Sequence, residues 1–196
     1  AANYNVGLGV GVFADLTSGD NNIAIGLNTA GNTTTGAGNI AIGTNALLTN
    51  ISGSSNVGIG AYALNLNTAN NNTAVGHQAM TANTTGSYSV AFGYQALDAS
   101  VSANHNTAVG YQALTATTAG SNTAVGGNAL GANTTGASSV AVGYNSLGVN
   151  TAGGSNTAVG TLALDANTTA SNNTAVGASA LTANTTGDRG VAVGKD

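Results

Sequence analysis

Charge is nearly missing from this chain. Only 4% of its 196 residues are charged, against about 25% in an average soluble domain. Two basic residues leave no electrostatic footprint for nucleic acid, and a net charge of −4 is too small to point to any partner. The absence of cysteine excludes disulfides and thiolate metal sites. Proline, tryptophan and glutamate are absent as well. No apolar run approaches the roughly 20 residues of a membrane-spanning helix, so this chain is not expected to insert into a membrane. Disorder is not expected either, because it goes with high net charge and no regular placing of apolar residues, whereas here the apolar residues recur at fixed positions. Amides and hydroxyls are left to keep the chain soluble, which suits an extracellular fibre.

What is present is a repeat. The motif Asn106-Thr107-Ala108-Val109-Gly110, or a near variant, recurs along the whole chain. Its final glycine falls at Gly9, Gly26, Gly43, Gly60, Gly76, Gly93, Gly110, Gly126, Gly143, Gly160, Gly177 and Gly194. The intervals are 17 residues except for two of 16, Gly60 to Gly76 and Gly110 to Gly126. A period this short and regular dictates the architecture before any single motif is considered.

Aligned on that glycine, the repeats fall into columns. The preceding residue is large and apolar in all twelve copies, from Leu8 and Ile25 to Val176 and Val193. The residue three before it is Val or Ile in seven copies and Thr at Thr73, Thr107, Thr123, Thr157 and Thr174. Only Ala or Gly lies between them, as at Ala74, Ala108 and Gly58. Alternation with period two predicts a strand, with β-branched residues on one face and the small column turned into a narrow interior. Three and four residues after the glycine comes a second pair, usually Ala-Leu, as at Ala63-Leu64, Ala113-Leu114 and Ala163-Leu164. A leucine stacked in every coil closes the other side of a core. Then comes a turn, most fully Asn83-Thr84-Thr85-Gly86, with copies at Asn133 to Gly136 and Asn184 to Gly187. Asn and Gly are expected to supply its left-handed backbone, and Asn to bond its own main chain. The two short intervals remove a residue from this turn. Four before the glycine, Asn stands in nine of twelve copies. It either forms a side-chain ladder along the axis or is a turn residue leading into the strand.

A repeat too short to bury its own apolar face must stack on its neighbours. The expected fold is all-β: a parallel β-solenoid or β-roll of about twelve coils of 16–17 residues, forming one repetitive domain over residues 1–196. With the small column inside, the Val/Ile columns face outward as an apolar stripe larger than a monomer normally exposes. Homo-oligomerisation along that stripe is therefore expected, with threefold and twofold arrangements both open. Neither end looks like a cap, so end-to-end stacking into a filament, or excision from a longer fibre, is expected too.

The segments Asn39-Ile40-Ala41-Ile42-Gly43, Ser89-Val90-Ala91-Phe92-Gly93 and Ser139-Val140-Ala141-Val142-Gly143 resemble the YadA-like head repeats of trimeric autotransporter adhesins. The resemblance extends over all twelve repeats. It implies a left-handed parallel β-roll, a homotrimeric rod, cell-surface display and adhesion to a host protein or glycan. The repeat is longer than the family's usual one, and the Ala-Leu pair with its NTTG turn is a variant similar to repeats of phage tail fibres and other bacterial surface fibres. A structural and adhesive extracellular fibre on a cell surface or virion is thus the first expectation. A phage tail-fibre shaft is the alternative.

Chemistry is sparse. Asp98 and Asp165 share a repeat position but lie four coils apart, roughly 19 Å at the strand spacing, so they form no carboxylate pair. His77 and His105 occupy different columns with no third ligand near either, and a metal site is not expected. Hydroxyls are plentiful, but no positioned base accompanies them. No catalytic set, metal or cofactor is expected, and the chain is read as a non-enzyme. The best candidates for receptor contact are Tyr94, Tyr111, Tyr144 and His77, each just after the anchor glycine and each followed by Gln or Asn. Aromatic rings beside amides suit sugars and proteins, though rings repeated in one column also serve simply as packing. Eight N-x-[ST] sequons occur, at Asn32, Asn50, Asn71, Asn83, Asn133, Asn167, Asn172 and Asn184, most of them simply the turn. Abundant Thr suggests ice binding as a third function. That needs a flat Thr array on a strand face, and the strand column is mostly Val or Ile.

Overall fold

The computed structural model describes residues 1–195. It contains two compact units, Ala1–Ser102 and Ala103–Asp196, and each is a stack of parallel coils. The first holds β1 (Val6–Leu8), β2 (Ile23–Ile25), β3 (Ile40–Ile42), β4 (Val57–Ile59), β5 (Thr73–Val75) and β6 (Val90–Phe92). The second holds β7 (Thr107–Val109), β8 (Thr123–Val125), β9 (Val140–Val142), β10 (Thr157–Val159), β11 (Thr174–Val176) and β12 (Val191–Val193). No helix occurs among the described residues. Within each unit every strand pairs in parallel with its sequence neighbour, one coil per repeat, as in β2–β3 and β10–β11. The predicted all-β parallel solenoid is what forms.

Each strand is the three-residue core of the motif, and its burial follows the columns. The middle Ala is sealed inside, at 0% exposure for Ala41, Ala74, Ala108 and Ala158, while the flanking residues face outward. On the far side of the coil, Leu47, Leu64, Leu97, Leu114, Leu130, Leu147 and Leu164 are fully buried, with Met80 in the same column at 1%. The Ala-Leu ladder therefore closes the core as expected. The two shortened intervals leave the strands in register, Val57 with Thr73 and Thr107 with Thr123. The missing residue is absorbed in the turn: Asn67 Nδ2 reaches the carbonyl of Ala69, two residues on, where Asn50 and Asn83 reach three residues on, to Gly53 and Gly86.

The left-handed backbone is not where the sequence places it. Asn83, Asn133 and Asn184 do bond their own turns, to the carbonyls of Gly86, Gly136 and Gly187. None of these three asparagines, nor Gly136 or Gly187, has positive φ. Positive φ falls instead two and four residues after each anchor glycine from Gly9 to Gly177, on residues such as Gln78 and Met80 or Asn145 and Leu147, and again five before the next, as at Asn71 and Ser155. A leucine there costs about 1–2 kcal/mol. Burying its side chain contributes about 1.5–3 kcal/mol, so burial wins at that residue. The left-handed residues alternate the direction of their main-chain groups, which lets this side of the coil bond to both neighbours. Gln78 N–H donates to Ala61 in the coil before, and Met80 N–H to Ala96 in the coil after.

The anchor glycines are required for two reasons. Their φ lies between 125° and 143°, a region closed to other residues. A Cβ at Gly126 would also sit 2.5 Å from the carbonyl oxygen of Gly143 in the next coil.

The Asn column before the strand forms a ladder, chiefly from side chain to main chain. Asn39 Oδ1 accepts from the Asn56 N–H at 3.0 Å, Asn56 Oδ1 from Asn72 at 2.9 Å, and Asn122 Oδ1 from Ser139 at 2.9 Å. Ser139 substitutes because its Oγ can accept from the Asn156 N–H in the same way, at 3.2 Å. Side-chain-to-side-chain stacking belongs more to the turn asparagines: Asn150 Nδ2 donates to Asn133 Oδ1 at 2.9 Å, and Asn167 Nδ2 to Asn150 Oδ1 at 2.8 Å. The two columns meet on shared carbonyls. Gly136 accepts from both Asn122 and Asn133, and Gly53 from both Asn39 and Asn50. The interior is thus part hydrocarbon and part amide network, in which the side-chain donors of Asn39, Asn50, Asn122 and Asn133 are paired as burial requires and Asn173 Nδ2 is not.

Candidate functional site

Two surfaces of each unit remain for function, the outward strand face and the face that follows the anchor glycines. On the strand face of the first unit, eleven of twelve outward side chains are Val, Ile, Leu or Phe, with Thr73 the exception. In the second unit, eight of twelve are Val and four are Thr.

The face after the glycines carries the four residues singled out by sequence. His77 and Tyr94 lie in the first unit, and their rings stack at 5.5 Å with 7° between planes. Tyr62, from the next column, packs edge-on against His77 at 6.2 Å. Two columns share this ring cluster, so Tyr62 could not be placed there from the glycine-plus-one column alone. Beside it Gln95 Nε2 donates to Gln78 Oε1 at 2.9 Å. Asp98 lies on the same face. Burial pushes its carboxyl above the ordinary carboxylate range, against a hydrogen bond from Thr81 and the charge of His77, both of which lower it. Tyr111 and Tyr144 lie in the second unit, both more than half exposed. Gly127 stands between them in the column, and the Tyr144 ring leans over it: a Cβ at 127 would touch Tyr144 Cδ2 at 3.4 Å. The four residues are therefore a stacked pair in one unit and, in the other, two rings on either side of Gly127. All four are exposed.

The same face of the second unit holds an open groove of about 380 Å³, lined by Gln112, Thr115, Asn128, Gly131, Ala132, Asn145 and Gly148. Of these, the sequence points only to Gln112 and Asn145, as the amides that follow Tyr111 and Tyr144. The signal lies in the column five residues after the anchor, which runs Asn65, Thr81, Asp98, Thr115 and then Gly131, Gly148 before Asp165 and Thr182. Two successive glycines there leave a trough.

The sequons divide by burial. Asn50, Asn83, Asn133 and Asn167 are fully buried, with each Nδ2 donating to a turn carbonyl. Asn32, Asn71 and Asn172 are exposed. The turn threonines stack in a ladder of their own. In the second unit Thr118, Thr134, Thr151 and Thr168 each donate Oγ1 to the carbonyl one coil on.

No three His or Asp side chains come together among the described residues, and no described helix is long and apolar enough to cross a membrane. Comparison with protein-family models, curated proteins and solved structures gave no match. The class to which the chain belongs is therefore set by its fold, a repetitive parallel β-solenoid.

Proposed function

We propose that the chain is a structural segment of an extracellular fibre, of the bacterial surface-adhesin kind, whose copies associate along their strand faces. The observation that carries this is the outward face of the first unit. Ile23, Ile25, Ile40, Ile42, Val57 and Ile59 form an unbroken apolar array on three adjoining strands. Water contact with such an array is unfavourable by roughly 25 cal/mol per Å², and a second copy offers a flat surface of the same chemistry. Within each unit the backbone supports a rigid spacer, since successive coils are bonded to one another on both the strand side and the leucine side. A homotrimer is the arrangement that the sequence resemblance favours.

Sedimentation equilibrium, or native mass spectrometry across a concentration series, tests this directly. A stable oligomer is expected, and Ile42→Lys with Ile59→Lys should convert it to monomer without loss of β structure. A wild-type chain that stays monomeric at high concentration would overturn the association.

A further inference from the structure

We infer that the groove of the second unit is a binding site for a neutral oligosaccharide. It exists because the repeat is broken at two successive coils. Where other coils carry Thr81, Thr115 or Thr182, these carry Gly131 and Gly148. The two glycines differ in what stands next to the vacated space: at 131 the three atoms nearest a Cβ would all be Asn128 main chain, the carbonyl oxygen at 3.2 Å. At position 148 the Asn145 carboxamide folds over the glycine, so that a Cβ there would lie 2.6 Å from Asn145 Oδ1. The first unit has one glycine in this column, Gly31, and the Leu48 side chain lies over it, 3.1 Å from where a Cβ would stand.

The chemistry of the lining selects the ligand class. Gln112, Asn128 and Asn145 lie along the groove on three successive coils. Their left-handed backbone, with φ between 50° and 55°, is set by the fold. A carboxamide both donates and accepts, which matches vicinal hydroxyls that do the same. Asn145 is held in place from behind, its Nδ2 donating to Asp165 Oδ1 at 2.5 Å. Thr115 closes the other end, its Oγ1 donating to the Gln112 carbonyl at 2.7 Å. Tyr111 and Tyr144 directly precede Gln112 and Asn145 in the chain, and both expose ring surface. Aromatic faces pair with the C–H faces of pyranose rings. The lining contains no cation, and the charged group nearest to it is the Asp165 carboxylate, so an anionic sugar is disfavoured. The volume sits at the small end of the roughly 300–1,000 Å³ usual for ligand sites.

This site lies on a different face from the strands that mediate association, so the two readings fail separately. The test is a titration of the ¹⁵N-labelled chain with lactose, maltotriose and chitotriose, followed by two-dimensional NMR. Saturable shifts are expected at the Gly131 and Gly148 amides and at the side-chain amides of Asn128 and Asn145, with at least one of the three sugars. Gly131→Thr restores the residue type other coils already accommodate, at a position where the nearest atom to a Cβ is the Asn128 carbonyl oxygen at 3.2 Å, so the fold should survive and the shifts should vanish. Tyr144→Ala should weaken binding about tenfold. Sedimentation of the Thr variant should match wild type, which separates loss of the groove from loss of assembly. Absence of shifts with all three sugars, or shifts that persist in the filled variant, would overturn the assignment.

Discussion

The two units share one frame and differ in what they put on it. Inside, they are nearly interchangeable: Ala41 and Ala158 hold the same place, as do Leu64 and Leu147, and Asn39 and Asn122 make the same pair of bonds. Outside, they part. The strand face of the first unit is rich in Ile, whereas that of the second alternates Thr with Val at β7, β8, β10 and β11. Five residues beyond the anchor glycines, the first unit carries Leu48, Asn65, Thr81 and Asp98 after the single Gly31, while the second carries Gly131 and Gly148 on successive coils. In a stacked repeat, any inward change is felt by two neighbouring coils, so interior columns are tightly restricted. Outward positions answer to no neighbour but the next rung of their own ladder. They are where one repeat can come to differ from another.

The largest effect should come from the shared frame. Gly76→Ala and Gly126→Ala each place a methyl group in the carbonyl of the next coil, on a backbone with φ of 134°. Each should cost upward of about 3 kcal/mol, with a lower urea midpoint to the same degree in both units. A large inequality would mean that the two units are not held by the same contacts.

The amide network comes next. Asn39→Ala and Asn122→Ala each remove an acceptor for the next coil's N–H and a donor to a turn carbonyl. The turn carbonyls keep their bonds from Asn50 and Asn133, so the stranded group is the next coil's N–H, at a cost of about 1–3 kcal/mol, measured by thermal or urea unfolding, and again the units should agree.

The outward face should break the symmetry. Ile42→Lys in the first unit should weaken self-association more than Thr157→Lys in the second, because only the first buries a lysine against Ile25 and Ile59 on the flanking strands. A difference of about tenfold in dissociation constant, corresponding to about 1.4 kcal/mol, should be visible by analytical ultracentrifugation. Equal effects would mean that the Thr-bearing face is as much an interface as the Ile-bearing one.

The smallest effect is electrostatic. Because burial raises the pKa of Asp98, the folded state holds that proton more tightly than the unfolded chain. The group therefore favours folding below its unfolded pKa and loses that contribution as pH rises through its folded value. Asp98→Asn should accordingly raise the melting temperature slightly at about pH 7 and leave it nearly unchanged at about pH 3. The partial exposure of the side chain keeps the gain small. The opposite sign would show that His77 and Thr81 outweigh the burial.

Much of the molecule could be deduced from its columns. Twelve copies of the same small–large alternation define the strands, and the glycine column defines the close approach between coils, because each is a demand that every coil repeats. The exposed rings of His77, Tyr94, Tyr111 and Tyr144 were legible for the same reason, as one column of one motif. What repetition hides is any feature built from two columns at once. Tyr62 joins His77 and Tyr94 from the neighbouring column, and the groove needs Gly131 and Gly148 together with the amides of Asn128 and Asn145.

By itself, then, the sequence determined that the chain is a parallel β-solenoid, which residues face inward, and where a residue can be deleted without disturbing the strands. Residue size and β-branching settle those points locally. Only the tertiary structure decided which residues become left-handed. Isolated propensity assigns positive φ to the Asn and Gly of the NTTG turn and denies it to leucine. Stacking reverses that, because Leu47, Leu64 and Leu147 in the left-handed region both fill the core and bond to the adjoining coil. The gain from neighbouring coils exceeds the local strain, and no single repeat contains the neighbour that supplies it.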